Sequence, residues 1–197
     1  NSLDAKSTSI MVNFEPMKLQ VIDDGTGIRR EDMGLAATRH ATSKLSNVSD
    51  FATLSSFGFR GEALASISLV SRLEIVSRTS SNPVAFVQSY SNNNTPEELK
   101  PQARKVGTTV TVSDLFYNIP HRRKVYSKSS SIREEYNKIL IVVQRYAIHY
   151  PRIGFVCTKK TSSNKKQLID LNTCMFAPVK ALQQQRQQQQ TQQDDDD

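Results

Sequence analysis

In the stretch VIDDGTGI, Asp23 closes an alternating apolar run, and glycines follow at positions 25 and 27. A carboxylate held at a strand end can accept a hydrogen bond from an amino group on a ligand. Gly25 and Gly27 lack the Cβ atoms that would keep a flat ring away from the backbone. The same residues also make an ordinary turn with two left-handed positions. HATSK supplies Thr42, Ser43 and Lys44, two hydroxyl donors and a point charge that suit phosphate oxygens; as a purely structural element it is the N-cap of a helical turn. GFRGEAL sets Gly58, Phe59, Arg60, Gly61, Glu62, Ala63 and Leu64 at the start of an apolar helix. Successive backbone N–H groups entering a helix N-terminus form an anion nest, although Glu62 suits the helix dipole with no ligand at all. The spacing is neither a Walker P-loop nor a dinucleotide-binding G-x-G-x-x-G. Asn1 carries an amide oxygen of the kind that ligates Mg²⁺ bridging phosphates.

These residues need strands and helices to hold them. TSIMVNF (residues 8–14) and MKLQVID (17–23) alternate, and the short link through Glu15 and Pro16 predicts a hairpin. REDMGLAATRH reads as a helix with acids in its first turn. ATSKLSNVSDFATLSSFGFRG reads as a long loop with a short helix near Asp50, and EALASISLV as a helix. RLEIVSR, PVAFVQSY and GTTVTVSDL read as strands, with SNNNTPEELKPQARK as a solvated linker before the last. SIREEYNKILIVVQRYAIHY places Ile132, Tyr136, Ile139, Leu140, Val143 and Tyr146 at helical spacing. RIGFVCTK and KQLIDL close the pattern as strands. Hairpin-like neighbours without strict strand–helix alternation predict an α+β sandwich: a mixed, mostly antiparallel sheet with helices on one face.

Composition sets the outer bounds. The 197 residues carry a formal charge of +7 and 37% hydrophobic residues, which suits a basic partner of nucleic acid, nucleotides or acidic surfaces without choosing among them. From Gln183 the chain reads QQQRQQQQTQQDDDD, a composition with nothing to build a core from. The organisation expected is a domain over 1–172, with 173–197 opening a linker or second domain that runs into this tail. Cys157 and Cys174 show no metal-ligand spacing and argue against a disulfide framework, hence for a reducing compartment; Cys157, in an apolar run, reads as core. His40, His121 and His149 show no metal spacing either. No apolar run approaches a membrane span, and there is no initiator Met or signal peptide.

Taken in order, N-S-L-D-A, D-x-G-x-G, A-T-S-K, G-F-R-G-E-A-L-A-S-I and G-T-x-V resemble the MutL family of mismatch repair ATPases. That family shares a superfamily with type II topoisomerases, histidine kinases and the ninety-kilodalton heat-shock chaperones. The resemblance runs from Asn1 to about Lys160. GFRGEALASIS and LFYNIPHRRK separate it from the superfamily cousins; DAKSTSI, DGTGIRREDM and EEYNKIL…RYAIHY look most like the eukaryotic MutL homologue one branch. The resemblance implies a Bergerat-type fold that binds ATP with Mg²⁺. It implies that Asn1 coordinates the Mg²⁺, that Asp23 takes the adenine amino group and that Gly25 and Gly27 flank it. It further implies that Thr42, Ser43 and Lys44 contact nucleotide, that Gly58 to Glu62, backed by Ala63 and Leu64, hold phosphate, and that Thr108 stands near the adenine. ATP is expected to order a lid and to close two ATPase domains together, in the nucleus, beside another MutL-family subunit, MutS-family proteins and DNA bound without sequence preference.

The family's first motif is E-x-x-x-N, whose Glu is the general base. The chain opens at the Asn, so a fragment inactive in hydrolysis is expected, and the lysine that a second domain brings to the γ-phosphate is also missing. Asp24 stands where many relatives have Asn, with little effect expected. The basic run His121 to Lys124, with Arg122, Arg123 and Lys124, reads either as a contact to DNA phosphates or as a solvated turn pairing with Glu134 and Glu135. A non-enzymatic DNA-binding or scaffolding piece with a vestigial pocket is the alternative function.

Overall fold

The computed structural model describes residues 1–39, 62–91, 95–161 and 164–173. Their strands form one nine-stranded sheet. In chain order these are β1 (Ser9–Glu15), β2 (Lys18–Asp23), β3 (Arg72–Arg78), β4 (Ala85–Ser91), β5 (Thr95–Pro96), β6 (Lys100–Gln102), β7 (Gly107–Ser113), β8 (Gly154–Thr161) and β9 (Asn164–Asn172). The helices are a 3-10 helix over Arg30–Leu35, then α1 (Ala63–Ser68), α2 (Pro120–Tyr126) and α3 (Ser129–His149). Neighbours run β5-β4-β3-β7-β2-β1-β8-β9, with β6 also on β4. Only β1 and β8 pair in parallel among the described strands; every other pair is antiparallel.

The predicted hairpin is present: β1 and β2 pair from Ile10↔Asp23 to Glu15↔Lys18, across a two-residue link in which Met17 takes φ 61°. Register explains why helices collect on one face. Cys157, Val12, Val21, Val110 and Ile75 fall in one cross-strand row. Because side chains alternate along a strand, this row and the rows two residues away share a face. At one end of that face Ile10, Val12, Phe14, Phe155 and Cys157 bury against Tyr136 and Val143 of α3, with the Phe14 and Tyr136 ring centroids 5.4 Å apart. At the other end Leu73, Ile75 and Tyr90 bury against Met33 and Ala37, with Leu64 of α1 packed alongside. The α+β sandwich expected from the sequence is what forms.

Three expectations are corrected. The linker before β7 contributes β5 and β6, because Thr95–Pro96 and Lys100–Gln102 extend the edge of β4. The helix expected from Arg30 onward is a six-residue 3-10 helix, anchored by buried Met33, with Gly34 inside it lowering helix propensity. On α3, Tyr146 is 37% exposed instead of core and stacks on Tyr150. Cys157 is fully buried as expected, and burial pushes its thiol above the ordinary range. The loop and short helix expected between Ala41 and Gly61 lie outside the described residues, as do His40 and Cys174. No helix among the described residues is long and apolar enough to cross a membrane.

Candidate functional site

Asp23 is the last residue of β2, and its cross-strand neighbours are Ile10 and Thr108. The row continues through Ser77 to Phe86 on one side and through Ile10 to Phe155 on the other. Its carboxylate therefore stands on the helix-bearing face at the ends of the central strands, where it is only 8% exposed. A buried carboxylate must find donors. The Gly25 amide donates to Oδ1 at 3.0 Å and the Thr108 amide at 3.1 Å, while the Ser2 hydroxyl donates to Oδ2 at 2.7 Å.

The neighbours form a short polar chain. The Ser77 and Thr108 hydroxyls lie 3.0 Å apart, and Ser77 Oγ accepts from the Ile28 amide at 2.8 Å. This ties the segment after the glycines to β3 and β7. The glycines themselves serve packing. A Cβ on Gly25 would lie 2.7 Å from the Ala5 carbonyl oxygen, and one on Gly27, whose φ is +78°, would lie 2.2 Å from the Arg78 carbonyl oxygen. The space each missing Cβ leaves is taken by the chain's own atoms, so both glycines are also needed for close chain packing behind Asp23.

Asp24 turns away to an exposed position and clasps the start of β1. Its Oδ1 accepts from the Thr8 amide at 2.7 Å and the Ser9 amide at 2.9 Å, and its Oδ2 from the Thr8 hydroxyl at 2.5 Å. Partial burial pushes this carboxyl up, but the donors from Thr8 and Ser9 outweigh it and hold the group below its ordinary value. An Asn keeps the pattern: its oxygen takes both amides and its NH₂ donates to Thr8 Oγ1. The small effect expected of Asp for Asn thus has a physical basis.

Among the other residues singled out, Asn1 is exposed and precedes the serine that bonds Asp23, and its carbonyl accepts from the Ala5 amide at 2.9 Å. Glu62 stands at the N-cap of α1, Ala63 is exposed, and Leu64 packs into the second core cluster. Thr42, Ser43, Lys44, Gly58, Phe59, Arg60 and Gly61 lie outside the described residues. The run His121 to Lys124 is helix α2, not a turn. Arg123 pairs with Asp114 at 3.0 Å, and Arg122 lies 5.4 Å from the Phe116 ring centre. The acid that meets the run is therefore Asp114 rather than Glu134 or Glu135, and Glu135 pairs with Lys138 on α3 itself.

Sequence reasoning missed Ser2, Ser77 and Arg104. Ser2 was within reach, since it adjoins Asn1, but the others depend on which strands become neighbours. Cavities of about 440 and 430 Å³ open beside the 3-10 helix at Arg30, Gln88 and Leu99, and over β3 and β4 at Arg72, Glu74 and Tyr117; Asp23 lines neither.

The chain as a whole has counterparts among known proteins. Residues 1–113 match the family described as histidine kinase-, DNA gyrase B-, and HSP90-like ATPase. The chain is 42% identical over 171 residues to the DNA mismatch repair protein Mlh1 of Dictyostelium discoideum, covering 81% of the chain and 19% of that protein. It is 44% identical over 162 residues to MutL of Actinobacillus pleuropneumoniae serotype 3, covering 80% of the chain and 25% of that protein. The chain thus spans about a fifth to a quarter of the length of these relatives. The Aquifex aeolicus MutL ATPase domain complexed with ADP superposes with a TM-score of 0.62 at 28% identity, covering 87% of this chain and 58% of that one. The chain belongs to the histidine kinase-, DNA gyrase B- and HSP90-like ATPase family, in its MutL mismatch-repair branch.

Proposed function

We propose that the ends of β2 and β7 hold the adenine of ATP, with Asp23 accepting from its amino group, in a protein that hydrolyses ATP during DNA mismatch repair. One observation carries this reading: Asp23 is buried, and its own chain fills three acceptor positions. A carboxylate offers about four, so one position on Oδ2 remains for a donor. That suits an exocyclic amine and not a carbonyl. Thr108 sets the carboxylate from below the adenine, while Gly25 and Gly27 hold the turn that presents it.

Asn1 fits Mg²⁺ as one amide oxygen beside the nucleotide, because Mg²⁺ keeps most of its shell as water and phosphate. No group of three or more His, Cys, Asp or Glu suited to a metal occurs among the described residues, so the ion would depend on the phosphates for most of its binding. Bound Mg²⁺ supplies neutralisation of phosphate charge. By resemblance, Thr42, Ser43 and Lys44 and the Gly58–Glu62 segment contact phosphates. Phosphate contacts of that kind order a segment and favour closure against a second MutL-family subunit. We place the domain over residues 1–172, in the eukaryotic MutL homologue one branch, acting in the nucleus with MutS-family proteins. The exposed Arg122 and Lys124 on α2 favour contact with DNA phosphates.

Titration calorimetry of the intact protein with ATP, with and without Mg²⁺, tests the reading. Asp23→Asn retains an oxygen for the Gly25 and Thr108 amides but presents NH₂ where Oδ2 stood. We expect it to weaken ATP binding at least about tenfold, the value of one lost buried hydrogen bond, with the fold intact by circular dichroism. Equal affinity in the two proteins would overturn the role given to Asp23, and no binding by either would leave the vestigial-pocket reading standing instead.

A further inference from the structure

We propose that Arg104 is a positioning residue for Asp23, strapping the last pair of β2 and β7 so that the carboxylate meets the 6-amino group of a purine nucleotide. The inference rests on the adenine reading of the site given above.

Asp23↔Thr108 is the last pair between β2 and β7. A terminal pair has a neighbour on one side only, so its backbone is the first to open. Arg104 lies just before β7, in the stretch whose composition reads as linker. Its guanidinium makes three bonds: Nη2 to the Asp23 carbonyl oxygen at 2.9 Å, Nε to the Thr109 hydroxyl at 3.0 Å and Nη1 to the Lys105 carbonyl oxygen at 2.9 Å. The strap is itself anchored, because Arg78 Nη1 donates to the Arg104 carbonyl at 3.0 Å and Arg78 Nε to the Asn82 carbonyl at 3.0 Å. A second contact closes on the same point. Gly107 has φ +124°, and a Cβ there would lie 2.1 Å from the Asp23 carbonyl oxygen. The main chain of Asp23 is thus gripped by Arg104 and packed against Gly107, while its side chain is held by Gly25, Thr108 and Ser2.

The chemistry requires arginine. A planar fork places its donors rigidly toward three separated acceptors, and a lysine ammonium on a flexible stem brings the charge and three donors but not that geometry. Burial lowers the guanidinium's pKa and the nearby Asp23 opposes this, so the strap also brings positive charge close to the carboxylate. The consequence is specificity. A hydrogen bond from an amino group is made within about 2.7–3.2 Å, and a backbone free to shift by a fraction of an ångström loses it. A site that has lost the bond no longer tells a 6-amino purine from a 6-oxo purine.

The test compares the binding of ATP and inosine triphosphate by the intact protein. The wild type is expected to favour ATP by about tenfold or more. Arg104→Met should bring the ratio close to one by weakening ATP alone, and Arg104→Lys should fall between. Thr109→Val, which removes one anchor of the strap, should also lower the ratio and serves if Arg104→Met does not fold. Equal weakening of both nucleotides in Arg104→Met, or an unchanged ratio in Arg104→Met or Thr109→Val, overturns the inference. Asp23→Asn separates it from the reading beneath. If Asp23→Asn loses the preference and the strap variants keep it, only the strap is wrong. If the wild type shows no preference or Asp23→Asn keeps it, the adenine reading fails and the strap with it.

Discussion

On the helix-bearing face of the sheet, Val12, Val21, Val110 and Ile75 line up across four strands; one residue along, Asn13, Gln20, Thr111 and Glu74 line up on the other face. The first row buries apolar area under helices. The second is a hydrogen-bonded ladder: Thr158 Oγ1 donates to Asn13 Oδ1 at 2.7 Å, Asn13 Nδ2 to Gln20 Oε1 at 3.1 Å, and Gln20 Nε2 to Thr111 Oγ1 at 3.0 Å. The difference shows what is unusual about Asp23. It is a carboxylate on the apolar face, where water does not compensate a missing partner, and its donors are two backbone amides and one hydroxyl. A polar group on the ladder face is one bond among several; on the other face it must be supported from every side.

Substitutions at three positions sharpen this contrast, in decreasing order of expected effect. Ile75→Ala removes a side chain with no exposed surface from the apolar face and should cost about 2–5 kcal/mol in urea unfolding. A loss below about 1 kcal/mol would mean that the helices do not seal that face. Asp24→Ala removes the acceptors of Thr8 and Ser9 at the chain segment that brings Ser2 to Asp23. In so exposed a place the cost should be roughly 1 kcal/mol, and Asp24→Asn should be close to neutral. The pH dependence separates wild type from Asp24→Asn. The carboxyl of Asp24 is held below 3.8 in the folded chain, so its contribution is fully present above that pH and is lost as pH falls through the folded value. Wild type should therefore lose stability below about pH 3.8 more steeply than Asp24→Asn. Parallel acid unfolding curves would show that the clasp carries no charge-dependent stability. The smallest effect belongs to the ladder face, where Gln20→Val should change stability by less than about 1 kcal/mol.

The strands were legible because alternation is a local signal: MKLQVID needs only its own side chains to place Leu19, Val21 and Asp23 on one side. The face of α3 was legible for the same reason, except at Tyr146, which is 37% exposed and stacks on Tyr150. β5 and β6 were not legible, since two- and three-residue strands form only because the edge of β4 offers unpaired groups. At the site, Asp23 and Thr108 came from motif and position. Arg104 and Ser77 could not, because their roles exist only once β7 lies between β2 and β3. The glycines were found for one reason and are also required for another: Gly27 has its φ of +78° and its contact with Arg78 whether or not a ligand is present.

A crystal structure of the protein with a non-hydrolysable ATP analogue tests the central claim most directly. The account predicts the adenine amino nitrogen about 2.7–3.2 Å from Asp23 Oδ2, with Ser2, Gly25 and Thr108 keeping their bonds to the carboxylate. An analogue bound with its adenine away from the ends of β2 and β7, and Asp23 bonded only to its own chain, would contradict it.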